Sequence, residues 1–80
     1  MYYAYILRSL KNGKHYFGSC EDLQKRLSIH NAGKVRSSKS GIPYIVLYSE
    51  TYETRSAAFQ REMYFKTLEG RNWLKINKII

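Results

Sequence analysis

Two tyrosines eleven positions apart (Tyr5 and Tyr16), an arginine and a histidine four apart (Arg26 and His30), and a glutamate far downstream (Glu62) are the side chains whose types and order could act together chemically. A phenol, with a pKa of about 10, is a poor base until neighbouring cations lower it. A guanidinium presents a planar fork of donors that matches phosphate oxygens. A carboxylate on an apolar helix side has to be paired, protonated or bound to metal. Each residue also has a plain structural reading. With eight tyrosines in 80 residues, a strand tyrosine is more often packing than chemistry. Arg26 could be a surface cation, His30 could complement a helix C-terminus, and Gly18 could mark a bulge. Glu62 could pair with Lys66 one turn on, a contact worth only about 0.2–0.5 kcal/mol. Other schemes fit badly: no Cys/His set suits zinc, Cys20 with His15 or His30 is a thin basis for thiol chemistry, and no Walker-type phosphate loop or dinucleotide fingerprint is present.

The elements that must position these groups follow from residue types. Residues 2–8 are aromatic and β-branched and predict a strand, Asn12-Gly13 predicts a hairpin turn, and residues 14–19 predict the returning strand. A simple register centred on Asn12-Gly13 sets Leu7 opposite Gly18 and Tyr16 opposite Ser9. It puts Tyr3, Tyr5, Tyr16 and Gly18 on one face, with open space at Gly18 between the tyrosine rings; a single bulge would flip that parity. Ser19-Cys20-Glu21-Asp22 predicts a helix start and Asn31-Ala32-Gly33 its stop, so that Arg26 and His30 share a face bordered by Leu23 and Leu27. Residues 33–42 read as a basic loop, either touching phosphates or simply solvated. Residues 43–50 predict a third strand with Pro43 at its start. Thr54 can cap a helix over about 55–68, with Ala58, Glu62 and Phe65 on one apolar side and Phe59 close by. Gly70 breaks that pattern, and residues 71–78 predict a short last helix anchored by Trp73 and Leu74. With no repeat or linker in view, residues 1–80 are expected to form one domain.

Composition narrows the partners. Fourteen Lys and Arg against six Asp and Glu give a net charge of +8. Residues 1–40 hold eight basic and two acidic side chains, residues 41–80 six and four, so most of the excess lies beside the tyrosines. Such a field favours polyanions, nucleic acid first, with Lys14, Lys34, Arg36 and Lys39 as candidate contacts. An anionic lipid surface is the alternative use of the same charge. A single cysteine cannot form an internal disulfide, and no stretch has the pattern of a signal peptide or membrane span, so a cytoplasmic location is expected.

The ordered set Tyr5…Tyr16-Phe17-Gly18…Arg26…His30…Glu62, spread over roughly residues 2–70, resembles the GIY-YIG nuclease superfamily. It is similar above all to short single-domain members related to the nuclease domain of the bacterial excision-repair incision protein. The resemblance implies an α+β sandwich, a three-stranded antiparallel sheet flanked by helices. It also implies a metal-dependent endonuclease that hydrolyses DNA phosphodiesters with one divalent ion, Mg²⁺ or Mn²⁺, in a repair or recombination setting. By motif position Tyr5, Tyr16, Arg26 and His30 are then the catalytic candidates, Gly18 is structural, and Glu62 is the metal ligand. On chemical grounds Tyr16 beside Arg26 and a metal would activate water, Tyr5 would orient it, Arg26 would clamp phosphate oxygens, and His30 would position the water or the arginine.

The chain departs from the family pattern in three places. The first motif reads Tyr3-Ala4-Tyr5, Ser19 follows Gly18 where the repair enzyme carries a lysine, and the late asparagine has only Asn72 or Asn77 as candidates. Two further readings therefore stand beside the nuclease. One is a nucleic-acid-binding module that does not cut, with RNA as well as DNA among its ligands. The other is a domain whose aromatic surface meets a protein partner.

Overall fold

Ala4-Tyr5-Ile6-Leu7 is apolar at four consecutive positions, and each is essentially inaccessible to solvent. A strand buried on both faces has to lie in the middle of a sheet that is covered on both sides. The computed structural model describes residues 1–80 and places β1 (Tyr2–Ser9) in that position. It is flanked by antiparallel β2 (His15–Cys20) and β3 (Tyr44–Tyr52), in the order β2-β1-β3. Helix α1 (Leu23–Asn31) and a 3-10 segment (Arg36–Gly41) lie between β2 and β3 in the chain; α2 (Arg55–Phe65) and α3 (Leu68–Ile76) follow β3. The architecture is the expected α+β sheet with helices.

Alternation along β1 divides the core. Tyr5 and Leu7 pack with Tyr44, Leu23, Leu27 and Val46 on the α1 side. Ala4 and Ile6 pack with Phe65, Leu74, Phe17 and Trp73 on the α2–α3 side. The β1–β3 ladder carries an irregularity between Ile6 and Leu7: Ile6 faces Tyr48 and Leu7 faces Val46, so Leu47 has no partner.

Four expectations need correction. Gly18 lies opposite Tyr5 and Tyr16 opposite Leu7, two residues from the expected register. The cause is a four-residue loop, Leu10–Gly13, closed by the Ser9 N–H on Lys14 O and the Gly13 N–H on Ser9 O, in which only Gly13 has a positive φ of 74°. Buried Ser9 organises it: its Oγ accepts from the N–H groups of Lys11 and Asn12 and donates to Gly41 O at 2.6 Å. A slip of two preserves parity, so Tyr3, Tyr5, Tyr16 and Gly18 share a face as expected. The stretch 33–42 is not a plain loop, since residues 36–41 are helical and Ser38 is buried. Gly70 is no breaker: Thr67 caps α3, and a Cβ at Gly70 would stand 1.8 Å from Tyr64 O, so its bareness lets α3 pack on the end of α2. Phe59 points outward, 51% exposed.

The α2–α3 layer is pinned to β3 through one carboxylate. Glu50 accepts from Arg61 Nε at 2.8 Å, Tyr48 Oη at 2.6 Å and Tyr52 Oη at 2.5 Å. The Arg61 guanidinium lies 4.6–5.0 Å from the ring centroids of Trp73, Tyr64 and Phe65. Burial alone would raise the Glu50 pKa, but the hydrogen bonds from Arg61, Tyr48 and Tyr52 outweigh it and hold it below the ordinary value. A depressed folded pKa contributes stability above the unfolded value of about 4.3 and loses it as pH falls through the folded value. Glu50→Gln is therefore expected to cost about 1–3 kcal/mol at pH 7. In urea titrations from pH 7 to pH 3, its deficit relative to wild type should shrink toward the acid end; a deficit independent of pH would contradict the assignment.

Candidate active site

Gly18 and Tyr5 are a cross-strand pair, and their relation sets the site. A Cβ on Gly18 would lie 2.3 Å from Tyr5 Oη and 2.4 Å from Tyr5 Cζ. The phenol ring of Tyr5 therefore occupies the space a side chain would take, and the opening expected over Gly18 is filled. With the ring laid across β2, its hydroxyl reaches α1. There it meets Arg26 Nε at 3.4 Å and His30 Nε2 at 3.2 Å, two groups one helical turn apart. Asp22 starts that helix by accepting the Lys25 N–H, and Gly33, at φ 76°, ends it.

The protons in this buried cluster have one arrangement that leaves none without an acceptor. Arg26 can only donate, so Tyr5 oxygen accepts from it and Tyr5 O–H donates to His30 Nε2. His30 then carries its proton on Nδ1 and donates to Ser38 Oγ at 2.6 Å, and Ser38 donates to Val35 O at 3.3 Å. Burial, partly offset by Arg26, pushes the Tyr5 pKa up, and burial with the Arg26 charge pushes His30 down. The hydrogen bond to Tyr5 holds Arg26 above its usual value against burial. At neutral pH the cluster is a neutral phenol, a neutral imidazole and a cation.

Tyr16 stands beside it but is bonded differently. Its ring lies edge-on to His30 with centroids 4.7 Å apart, and its hydroxyl pairs with Ser37 Oγ at 3.2 Å. Consecutive serines of the 3-10 segment thus serve Tyr16 and His30. Arg26 makes its hydrogen bond to Tyr5 rather than to the Tyr16 hydroxyl, and both tyrosines line the cleft with it.

Glu62 approaches from the other sheet face. It accepts from Ser19 Oγ at 2.8 Å and from Lys66 Nζ at 2.9 Å, with 12% of its side chain exposed. Tyr16 and Gly18 of β2 face α1, whereas Phe17 and Ser19 face α2. Because β2 is an edge strand, groups from both faces meet around its free edge. A cleft of about 550 Å³ there is lined by Tyr5, Tyr16, Gly18, Ser19, Arg26, Ser37, Glu62 and Lys66, with His15, Phe17 and Arg71 at its other side. A larger groove of about 820 Å³ adjoins Arg26 along Tyr3, Cys20 and the start of α1, and holds none of Tyr5, Tyr16, His30 or Glu62.

Five of the six motif residues expected from sequence line this cleft, and His30 sits directly beneath it, fully buried. The exposed Lys14, Lys34, Arg36 and Lys39 do not line it. Ser37, Ser38 and Arg71 are the participants missed: the serines sat in a stretch without periodicity, and Arg71 was hidden by the misplaced helix start at Gly70. Glu62 is the only carboxylate of the cleft, and nowhere in the chain do three or more His, Cys, Asp or Glu side chains gather. Each Glu62 oxygen keeps a lone pair beyond its one hydrogen bond. Such a donor set fits a hard ion held by one carboxylate, waters and a phosphate, as Mg²⁺ or Mn²⁺ would be.

Gly18→Ala is expected to drive the buried Tyr5 ring off β2 and to cost about 1–3 kcal/mol, or roughly 4–8 °C in melting temperature per kcal/mol. In a Tyr5→Leu background the same substitution should cost much less, and additive losses in that double-mutant cycle would contradict the contact.

Comparison with known proteins agrees with this geometry. The family model described as the GIY-YIG catalytic domain matches residues 1–77. A UPF0213 protein of Bacillus licheniformis is 36% identical over 72 residues, covering 89% of this chain and 73% of its own. A UPF0213 protein of Staphylococcus saprophyticus is 34% identical over 76 residues, covering 94% and 92%. One of Bacillus pumilus is 39% identical over 67 residues, covering 82% and 67%. No solved structure matches the chain. With the family match spanning nearly all of its length and the motif tyrosines, glycine, arginine and glutamate lining one cleft, the chain belongs to the GIY-YIG nuclease domain family.

Proposed function

We propose that the chain is a metal-dependent endonuclease domain that hydrolyses DNA phosphodiesters in the cleft around the edge of β2. The observation that carries this reading is the meeting of Tyr5, Tyr16, Arg26 and Glu62 in one open cleft, although they come from both faces of the sheet. Tyr16, whose hydroxyl bonds Ser37 rather than the buried cluster, would as its phenolate take a proton from water. Arg26 spends Nε on Tyr5 and keeps its terminal nitrogens for phosphate oxygens. His30 is wholly buried and so acts through Tyr5 and Tyr16, holding both rings in place. Glu62 would hold the divalent ion, which when bound supplies a Lewis acid for a phosphoryl oxygen and a more acidic water. Lys66 puts an ammonium beside Glu62 where the lysine after Gly18 is missing. A repair or recombination setting remains part of the proposal, resting on the resemblance alone.

A second reading, a nucleic-acid binder that does not cut, is favoured by one observation. Both oxygens of Glu62 already accept hydrogen bonds, from Ser19 and Lys66, so an ion has to compete with an ammonium.

Cleavage of labelled duplex, nicked, flap, branched and single-stranded DNA, and of RNA, in Mg²⁺, Mn²⁺ or EDTA separates the two. Metal-dependent cutting that falls about 100-fold or more in both Glu62→Ala and Tyr16→Phe is the expected result. Binding without any cutting would establish the second reading and overturn the first.

A further inference from the structure

Beyond the motif residues, a second concentration of charge lies at one end of the cleft, beside it and within it. Arg8 of β1 and His15 of β2 are direct cross-strand partners at the hairpin end of the sheet. Arg71, in the first turn of α3, reaches over the Phe17 ring at 5.6 Å from its centroid, two residues along β2 from His15. His15 and Arg71 both line the cleft. The three groups are exposed, and none has a carboxylate partner, since the ion pairs of the fold are Arg55–Glu21, Arg61–Glu50 and Lys66–Glu62. Partial burial first, then the Arg8 and Arg71 charges, hold His15 below its ordinary pKa.

At neutral pH His15 is therefore uncharged, and the cations are Arg8 and Arg71, both acting on it and neither paired with a carboxylate. A polyanion that entered the cleft would supply the counter-charge these two guanidinium groups lack, and the imidazole between their charges could donate a hydrogen bond to it. These groups lie on the α2–α3 face, whereas Arg26 belongs to the α1 face. A strand lying over the edge of β2 would thus meet cations on both sides of the reacting groups.

We propose that Arg8, His15 and Arg71 form a phosphate-binding subsite for the nucleic-acid strand that occupies the cleft. The proposal rests on the nucleic-acid reading above and deepens it. The subsite contacts backbone phosphate rather than base edges, so it contributes affinity and placement without sequence preference. It also gives the exposed edge of β2 a use, because a charged edge resists pairing with another strand while attracting phosphate.

The test is fluorescence anisotropy of a labelled DNA duplex and flap in EDTA, titrated at several NaCl concentrations. Wild type is compared with Arg8→Gln/Arg71→Gln, with Arg8→Lys/Arg71→Lys, and with Lys75→Gln/Lys78→Gln, which removes two exposed cations that neither line the cleft nor act on His15. Loss of two phosphate contacts should reduce the slope of log K against log salt by about 2 and weaken binding by roughly 10-fold or more. The lysine pair, which loses the same guanidinium stacking on Phe17 but keeps the charge, should retain the wild-type slope and so separates charge from folding. If wild type binds while the Gln pair matches it, or loses no more than the Lys75/Lys78 control, the subsite is overturned and the proposed function stands. If wild type binds no nucleic acid at all, both fall together.

Discussion

The hydroxyl of Tyr5 has to cross its neighbouring strand to be of use, and the structure is arranged around that crossing. Tyr5 belongs to the central strand, where a side chain ordinarily ends in the core. It escapes only because Gly18 opposes it, leaving β2 flat enough for the ring to lie across. Everything the hydroxyl then touches is spaced to receive it. Arg26 and His30 are one turn apart on α1, and Ser38 fixes the far nitrogen of His30 so that the near one can accept. No buried side-chain nitrogen or oxygen in the protein lacks a partner. A fully satisfied buried network of this kind holds a single geometry, whereas one missing partner would cost more than the network gains.

The second constraint is that the cleft draws on both sheet faces. Successive residues of a strand point to opposite sides, so Gly18 and Ser19 serve different halves of the cleft although adjacent in sequence. Only at an edge strand can the two halves meet, and β2, unlike the central β1, is such an edge. The halves are held to different cores: Tyr44, Leu23 and Leu27 on one side, Phe65, Leu74 and Trp73 on the other. The Glu50–Arg61 pin fixes α2, and with it Glu62, against the sheet; Glu62 lies next to Arg61 and takes its position from that anchor.

Sequence made legible what depends on periodicity and left obscure what depends on turns and single contacts. Strand parity was readable because side chains alternate with period two, and it survived a register displaced by two residues. The displacement itself was not readable, because Asn12-Gly13 has the composition of a two-residue turn and nothing in the sequence marks Ser9 as the group that gathers Lys11, Asn12 and Gly13 of a four-residue loop. The α1 pairing of Arg26 with His30 followed from helical spacing. Ser38 and Ser37 did not, since a 3-10 segment this short has no hydrophobic period and their partners lie eight and 21 residues away. Gly70 was misread for a related reason: glycine signals a break when only local propensity is weighed, but here it answers a close approach of two helices. Glu62 shows the limit from the other side. Its pairing with Lys66 is there, yet so is the bond to Ser19 across the sheet edge, and the local contact alone would have concealed the site.

The arrangement at Tyr5 can be tested without substrate or metal. Long-range ¹H–¹⁵N NMR of ¹⁵N-labelled protein reports which nitrogen of His30 carries the proton, and at what pH the ring becomes an imidazolium. The hydrogen-bond geometry predicts a neutral ring protonated on Nδ1, with Nε2 free to accept from Tyr5, persisting below the ordinary histidine pKa of about 6.5 because burial and the Arg26 charge oppose a second proton. A ring protonated on Nε2, or one that becomes doubly protonated near pH 6.5 like an exposed histidine, would mean that the Tyr5 hydroxyl is not held as described.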